Sequence, residues 1–130
     1  MSTASYREPA GLYVTVDRVA YQPEAITPAD RPHCFVYCIS IHNDTDLPVT
    51  IKGRKWVVTN NRGEVTALEG DGVVGATPSI VPGDTFTYES YHLLNAHSAV
   101  AEGSYLGVDA LGRRVLARIP RFEMSLPAPS

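Results

Sequence analysis

Apolar and polar residues alternate along short segments of this chain, and this pattern limits the fold more than any other feature. Residues 12–19 (LYVTVDRV) place Leu12, Val14 and Val16 on one face, and residues 85–91 (TFTYESY) alternate in the same way. A period of two residues is typical of a β-strand with one buried face. We find no comparable 3.6-residue period of the kind that predicts a helix.

Residues 33–43 (HCFVYCISIHN) are rich in β-branched and aromatic side chains, which favour strands. Their alternation puts apolar side chains on both faces: Cys34, Val36 and Cys38 on one, and Phe35, Tyr37, Ile39 and Ile41 on the other. A strand covered on both faces is predicted to be central in its sheet.

The two cysteines, Cys34 and Cys38, lie four residues apart in this strand. Four strand residues span about 13 Å, whereas a disulfide needs Cα atoms within roughly 7 Å. We therefore expect two reduced thiols packed as small apolar groups. His33 precedes Cys34, but no second CxxC or HxxxH pattern completes a zinc site, and we expect no metal.

Turn residues separate the other predicted segments. Asn, Asp and Gly favour tight turns, and three prolines between residues 22 and 32 exclude regular structure there. The sequence predicts a long loop over 22–32 and a first hairpin at 43–46. Strands over 47–59 and 64–68 are joined by a turn at 60–63, and Pro82–Gly83 forms a type II turn. The C-terminal part is predicted to contain a hairpin of 104–109 and 114–119 around 110–112 and a last strand over 122–126, and residues 93–101 have room for one helical turn. Seven or eight short strands with such spacing predict an all-β, antiparallel β-sandwich.

Composition fits a single domain. The chain has 130 residues, of which 44% are hydrophobic and 19% charged, with a net charge of -3. No apolar run approaches the roughly 18 residues of a membrane span, and residues 1–10 have no signal-peptide pattern. We expect a soluble, cytoplasmic protein with no membrane partner. The negative charge gives no overall attraction to nucleic acid, and we do not expect a nucleic-acid partner.

Three stretches are more specific: residues 53–60 (GRKWVVTN), 69–75 (EGDGVVG) and 102–105 (EGSY). Their order and spacing resemble the ApaG family from about residue 11 to residue 126, and residues 119–122 (IPRF) extend the match. The resemblance divides the chain into an N-terminal tail (1–10), an ApaG domain (11–127) and a C-terminal tail (128–130). The chain departs from the family pattern at 22–32 and 93–101.

The resemblance implies a fibronectin type III/immunoglobulin-like fold, in agreement with the strand count. It brings no catalytic residues and no cofactor. The family has carried a label for cobalt and magnesium efflux, and similar domains in eukaryotic F-box proteins indicate protein recognition.

The glycine-rich stretch matches G-x-G-x-x-G through Gly70, Gly72 and Gly75, with Asp71 between the first two. This pattern binds pyrophosphate when a helix follows the glycines. Here Pro78 and Pro82 lie where that helix would run. A structural loop is therefore the favoured interpretation, and a ligand site at Gly70, Asp71, Gly72 and Gly75 is the alternative.

Arginines give a second candidate site. Arg114 and Arg118, with Arg54 if the strands are neighbours, could hold an anionic partner such as an acidic peptide. Alternation also places Arg54 on the face of Trp56, where a cation cannot be buried unpaired. We expect an acidic partner or a sheet-edge position for Arg54, unless a bulge at Gly53 exposes it.

Four residues are assigned structural roles. Trp56 is expected in the core, and Pro82 and Gly83 form a turn. Tyr105 is similar to the tyrosine-corner residue of fibronectin-like domains, whose hydroxyl braces a loop.

These features predict a binding module and not an enzyme, with an edge strand or loop engaging a protein partner. Pairing of exposed edges would also allow a homodimer. The alternatives are a nucleotide or pyrophosphate sensor at the glycine-rich loop and a regulator that responds to divalent cations.

Overall fold

The computed structural model describes residues 5–127 and confirms the all-β prediction. Its eight strands are β1 (Leu12–Tyr21), β2 (His33–Asn43), β3 (Val49–Asn60), β4 (Val65–Asp71), β5 (Ser79–Ile80), β6 (Asp84–Leu94), β7 (Ser98–Asp109) and β8 (Arg114–Ser125). Within residues 5–127 there is no α-helix.

The strands form two antiparallel sheets that pack as a sandwich of fibronectin type III/immunoglobulin-like type. One sheet has the order β1-β2-β6, which places β2 in the centre as predicted. The other has the order β4-β3-β7-β8, with the short β5 paired to β3 beyond the end of β4. One sheet is therefore three strands wide and the other is four.

The predicted hairpin at residues 43–46 is wrong. β2 and β3 belong to different sheets, so the intervening residues cross between sheets. The side chain of Asn43 is fully buried and fixes this crossover, because its Nδ2 donates to the carbonyl oxygens of Leu47 (2.9 Å) and Ile80 (2.8 Å). Asn43 does hydrogen-bond to nearby backbone, as an Asx side chain in a turn is expected to do, but these bonds stabilise a crossover and not a hairpin.

The helical turn allowed for residues 93–101 is also absent. β6 continues to Leu94 and β7 begins at Ser98. Leu94, Ala99 and Ala101 are buried in the core, which favours extended backbone with alternating burial.

β8 joins the two strands predicted over 114–119 and 122–126. The pairing of β7 with β8 shifts register between Ala101 and Gly103, where Ala101 faces Phe122 and Gly103 faces Ile119. Pro120 lies in this bulge, where a residue without an N–H is tolerated.

The other predicted turns are confirmed. Asn60 Oδ1 accepts hydrogen bonds from the amides of Arg62 (2.9 Å) and Glu64 (3.0 Å) in the β3–β4 hairpin. Gly83 has a φ of 84°, and Asp84 N donates to Val81 O (3.0 Å), as a type II turn at Pro82–Gly83 requires.

Aromatic rings fill the space between the sheets. Trp56 is buried as expected and contacts Tyr37 of the opposite sheet, with ring centroids 5.2 Å apart. Phe122 packs at 5.9 Å from Trp56. Cys34 and Cys38 are both free thiols.

Tyr105 is also fully buried, but its hydroxyl does not brace a loop. It hydrogen-bonds to the hydroxyl of Tyr88 on β6, so the contact joins the two sheets. Burial raises the pKa of both tyrosines, and both hydroxyls stay neutral. The expected tyrosine corner is replaced by a cross-sheet tyrosine pair.

This pair predicts a coupled effect of two substitutions. Tyr88→Phe should lower the free energy of unfolding by about 1 to 3 kcal/mol, because it leaves the fully buried Tyr105 hydroxyl without its partner. Tyr105→Phe should cost less, because the half-buried Tyr88 hydroxyl also interacts with Tyr37. The double variant should lose less than the sum, because neither hydroxyl then remains unpaired. Urea denaturation of the four proteins measures the coupling, and strictly additive losses would contradict the pairing.

Candidate functional site

A groove of about 420 Å³ runs along one side of the sandwich, between β4 and β6. The sheets pack closely on the opposite side, where β1 contacts β8. On the groove side, β4 pairs only with β3 and β6 pairs only with β2 within residues 5–127. Two unpaired strand edges therefore flank what we call the β4–β6 groove.

The two strands line the groove in different ways. The β4 side contributes alternate residues Glu64, Thr66 and Leu68, whereas β6 and the turn after it contribute the consecutive residues 91–95. Alternate residues share one face of a strand, and consecutive residues line a groove only along a strand's edge. The groove thus has a face of β4 on one side and the free edge of β6 on the other.

Apolar side chains form the floor and rim. Leu68 lies opposite Trp56 in the β3–β4 pairing, so it belongs to the inner face of its sheet, yet 49% of its surface is exposed. Tyr91 on the rim is 58% exposed, while Val58 and Leu94 are buried in the floor. Leu68 is exposed because the three-stranded sheet has no strand opposite β4.

The charges at the groove are unequal. Glu64 forms an ion pair with Arg62 at 3.1 Å and accepts a hydrogen bond from Asn60 Nδ2. Arg31, from the loop between β1 and β2, lines the groove and is exposed. Among the described residues Arg31 has no ion pair, so one positive charge is left available.

His92 connects the groove to the aromatic core. It is buried beneath the groove, and its ring lies 4.7 Å from that of Trp56 and 4.8 Å from that of Tyr37. Burial lowers the pKa of His92 to about 4, so the imidazole is neutral at pH 7. Its Nε2 and Trp56 Nε1 are buried without hydrogen-bond partners in the described structure.

The glycine-rich motif forms a second hairpin-like loop after β4. Val74 and Gly75 both have positive φ, and Val73 and Ala76 exchange two backbone hydrogen bonds of 2.7 and 3.0 Å around them. This is the geometry of a type I′ turn, with no helix behind it. The amide of Gly72 donates to Lys52 O (2.7 Å), so the amides of Gly72 and Val73 are both used within the protein.

Arg54 lies beneath this loop and does not have the partner that we expected. Its Nη1 donates to the carbonyl oxygens of Asp71 (2.9 Å) and Gly72 (3.1 Å), and no carboxylate in the described structure forms an ion pair with it. β3 is an interior strand, and its pairing with β7 shifts register between Ile51 and Gly53, close to the expected bulge. Arg54 nevertheless stays half-buried on the inner face. Gly70 makes room for it, since a Cβ there would lie 2.8 Å from Arg54 Nη2.

The predicted arginine patch is not assembled. In the strand register Arg54 lies opposite the buried Tyr105, on the inner face of the sheet. Arg118 lies opposite Ser104, the residue before Tyr105, and therefore points to the outer face. Arg118 forms an ion pair with Glu8 at 2.7 Å. Arg114 lies 5.9 Å from the ring of Tyr6 and donates to Ser5 Oγ (3.2 Å).

Residues 5–8 explain why those arginines are engaged. Arg7 pairs in parallel with Val115, so this segment adds to the outer edge of β8. Arg7 N donates to Arg114 O (3.0 Å), and Leu116 N donates to Arg7 O (2.7 Å). The N-terminal segment thus covers one sheet edge on the side away from the groove.

The outer face of the three-stranded sheet carries a polar network that the sequence did not predict. Asp17 accepts hydrogen bonds from Ser40 and Thr15, which lower its pKa. His42 bonds through Nε2 to Thr15 Oγ1 (2.8 Å) and through Nδ1 to Thr85 Oγ1 (3.1 Å). The carboxylate contacts hydroxyls and not the imidazole, so the arrangement does not match a catalytic triad.

Within residues 5–127, no three His, Cys, Asp or Glu side chains are close enough together to bind a metal ion. The same part of the chain contains no helix with the length and hydropathy needed to cross a bilayer.

Comparison with known proteins decides the family. The ApaG domain model matches residues 23–109. The chain belongs to the ApaG domain family. Protein ApaG of Shewanella halifaxensis is 37% identical over 115 residues, which cover 88% of this chain and 91% of the relative. Protein ApaG of an Enterobacter species is 35% identical over 101 residues, or 78% of this chain and 81% of that protein.

A solved structure agrees with the fold. The putative ApaA protein of Bordetella pertussis superposes with a TM-score of 0.82 at 30% identity, covering 94% of this chain and 98% of that one. This ApaG-domain chain therefore shares both its sequence pattern and its sandwich with relatives.

The buried His92 predicts how stability depends on pH. Its pKa is about 4 in the folded chain and 6.5 when unfolded, so the unfolded chain binds a proton that the folded chain does not. The free energy of unfolding should therefore be constant with respect to His92 above pH 6.5 and should fall by about 3 kcal/mol as the pH drops from 6.5 to 4. Denaturant titrations at several pH values measure this slope.

Variants identify the source of that slope. His92→Phe should remove it between pH 6.5 and 4, whatever its stability at pH 7. The exposed His97→Gln should keep it. An unchanged slope in His92→Phe would show that another group titrates.

Proposed function

We propose that this ApaG-domain chain is a non-catalytic module that binds a protein partner in the β4–β6 groove. The observation that carries this proposal is Leu68, an inner-face apolar residue left 49% exposed between two unpaired strand edges. Exposed apolar surface beside free edges favours association with another chain. A cytoplasmic location, and a partner other than nucleic acid, form part of the proposal.

The described side chains support a non-catalytic role. His92 is neutral, but no serine, cysteine or carboxylate among residues 5–127 is hydrogen-bonded to it. The Asp17 network lies on an exposed sheet face and lacks the base-to-carboxylate contact that would activate a hydroxyl. Neither arrangement offers a pair of nucleophile and base.

The alternatives receive less support from the geometry. A pyrophosphate at the glycine-rich loop would need several amides directed at it, yet Gly72 N, Val73 N and Ala76 N already donate within the chain. The hollow beside the loop, also about 420 Å³, carries three cations, Lys52, Arg54 and Lys55, together with Glu69 and Asp71. Lys55 is paired with Glu69 at 3.4 Å, and Arg54 Nη1 donates to the carbonyl oxygens of Asp71 and Gly72, so two of the three cations are already engaged within the chain.

Two variants of β4 test the proposal. Leu68→Asp places a charge on the groove face, and Val65→Asp places the same charge on the outer face of the same strand, where Val65 is 64% exposed. A partner captured from a lysate of the native cells should be retained by wild type and Val65→Asp and lost by Leu68→Asp. Quantitative mass spectrometry of the captured proteins measures this difference.

A thermal-shift panel completes the test. Unchanged melting with ATP, diadenosine tetraphosphate, pyrophosphate, Mg²⁺ and Co²⁺ is expected of a protein-binding module. Saturable stabilisation by one of these ligands, together with equal capture by both β4 variants, would replace the proposal with the sensor or cation-response hypothesis.

A further inference from the structure

The sheet that ends at β6 has one strand fewer than the sheet that faces it, and this difference indicates the kind of partner that fits. The four-strand-wide sheet extends past the three-stranded sheet at β4, so no described strand lies opposite the inner face of Leu68 and Thr66. A strand added to the free edge of β6 would lie in that position. Resting on the proposed function, we infer that the occupant is an extended segment of a partner protein that pairs with β6.

The lining of the groove supports strand addition over the insertion of a helix or a flat surface. Residues 91–95 contribute consecutively, which brings the backbone of an edge strand to the groove. β6 ends at Leu94, so its four residues 91–94 at strand spacing give about 13 Å of edge. An incoming extended segment would satisfy the backbone groups of this edge while its side chains alternate between the two faces.

The inner face determines the apolar part of the segment. Side chains pointing inward would meet Leu68 and the buried Val58 and Leu94. The floor contains His92, which is neutral and offers no charge to a ligand. Two apolar residues separated by one position therefore fit the inner face.

Arg31 determines the charged part. It precedes β2, whose first residue His33 pairs with Leu94, so Arg31 lies at the Leu94–Asn95 end of the groove. Glu64 at the same end is already paired with Arg62, and Arg31 has no ion pair among residues 5–127. A carboxylate at one end of the segment would pair with Arg31.

The N-terminal segment shows the same kind of pairing elsewhere in the chain. Residues 5–8 add to the edge of β8 through Arg7 and Val115, and Glu8 pairs with Arg118 at 2.7 Å. One strand-like bridge at Arg7 and one carboxylate–arginine pair thus cover the first part of the β8 edge. At the β6 edge Arg31 supplies an arginine, but no segment within residues 5–127 pairs with that edge.

A display library of random eight-residue peptides tests the inference on the full chain. We expect enrichment of peptides with two apolar residues at alternate positions and an acidic residue near one end. Synthetic copies should shift the amide NMR signals of residues 91–95 and 65–68. Leu68→Asp should weaken their binding by about tenfold or more, and Val65→Asp should leave it unchanged.

A charge reversal tests the role of Arg31. A library selected on Arg31→Glu should enrich basic residues at the position where wild type selects acidic ones. An acidic preference that survives this substitution, or peptide-induced shifts confined to other surfaces, would overturn the inference. Self-association that depends on Leu68, measured by sedimentation, would also overturn it by making a second copy the occupant.

The outcome separates this inference from the proposed function. If no peptide is enriched but a cellular protein is still captured in a Leu68-dependent way, the partner binds as a folded surface and only the extended segment is wrong. If capture is also the same for Leu68→Asp and Val65→Asp, both proposals fail.

Discussion

The aromatic core joins a three-stranded sheet to a sheet four strands wide. This difference in width determines which part of the inner sheet surface stays exposed. Trp56 and Tyr37 pack between the sheets, and the hydroxyls of Tyr88 and Tyr105 hydrogen-bond across them. On one side β1 and β8 bring the sheets together. On the other side no strand within residues 5–127 lies opposite β4, so an apolar inner face meets solvent. The β4–β6 groove is therefore a direct consequence of the strand order.

The glycine-rich stretch has a role inside the protein that its pattern does not suggest. Its carbonyl oxygens at Asp71 and Gly72 accept hydrogen bonds from Arg54, and Gly70 leaves room for the guanidinium. A loop that directs carbonyl oxygens at a cation is organised differently from one that directs amides at a phosphate. The resemblance to a dinucleotide motif is limited to the spacing of the glycines.

Alternation and turn residues predicted most strands, including the central β2 and the β3–β4 hairpin, because these features depend on local sequence. They failed at residues 43–46, because Asn43 fixes a crossover as readily as a hairpin and the choice depends on contacts with Ile80, far along the chain. The groove was missed for a related reason. Leu68 has the alternation of a core residue, and only the sheet order shows that nothing covers it. Arg31, Leu68 and Tyr91 come together only in the folded chain.

The central claim is that β6 provides the edge on which a partner is bound. Amide hydrogen exchange of the chain, alone and with its captured partner, tests this most directly, because strand addition protects edge amides that exchange freely without a partner. The account predicts new protection within residues 91–95, accompanied by protection of residues 65–68. Protection confined to the glycine-rich loop at 70–76, or to β8, with residues 91–95 unchanged, would contradict it.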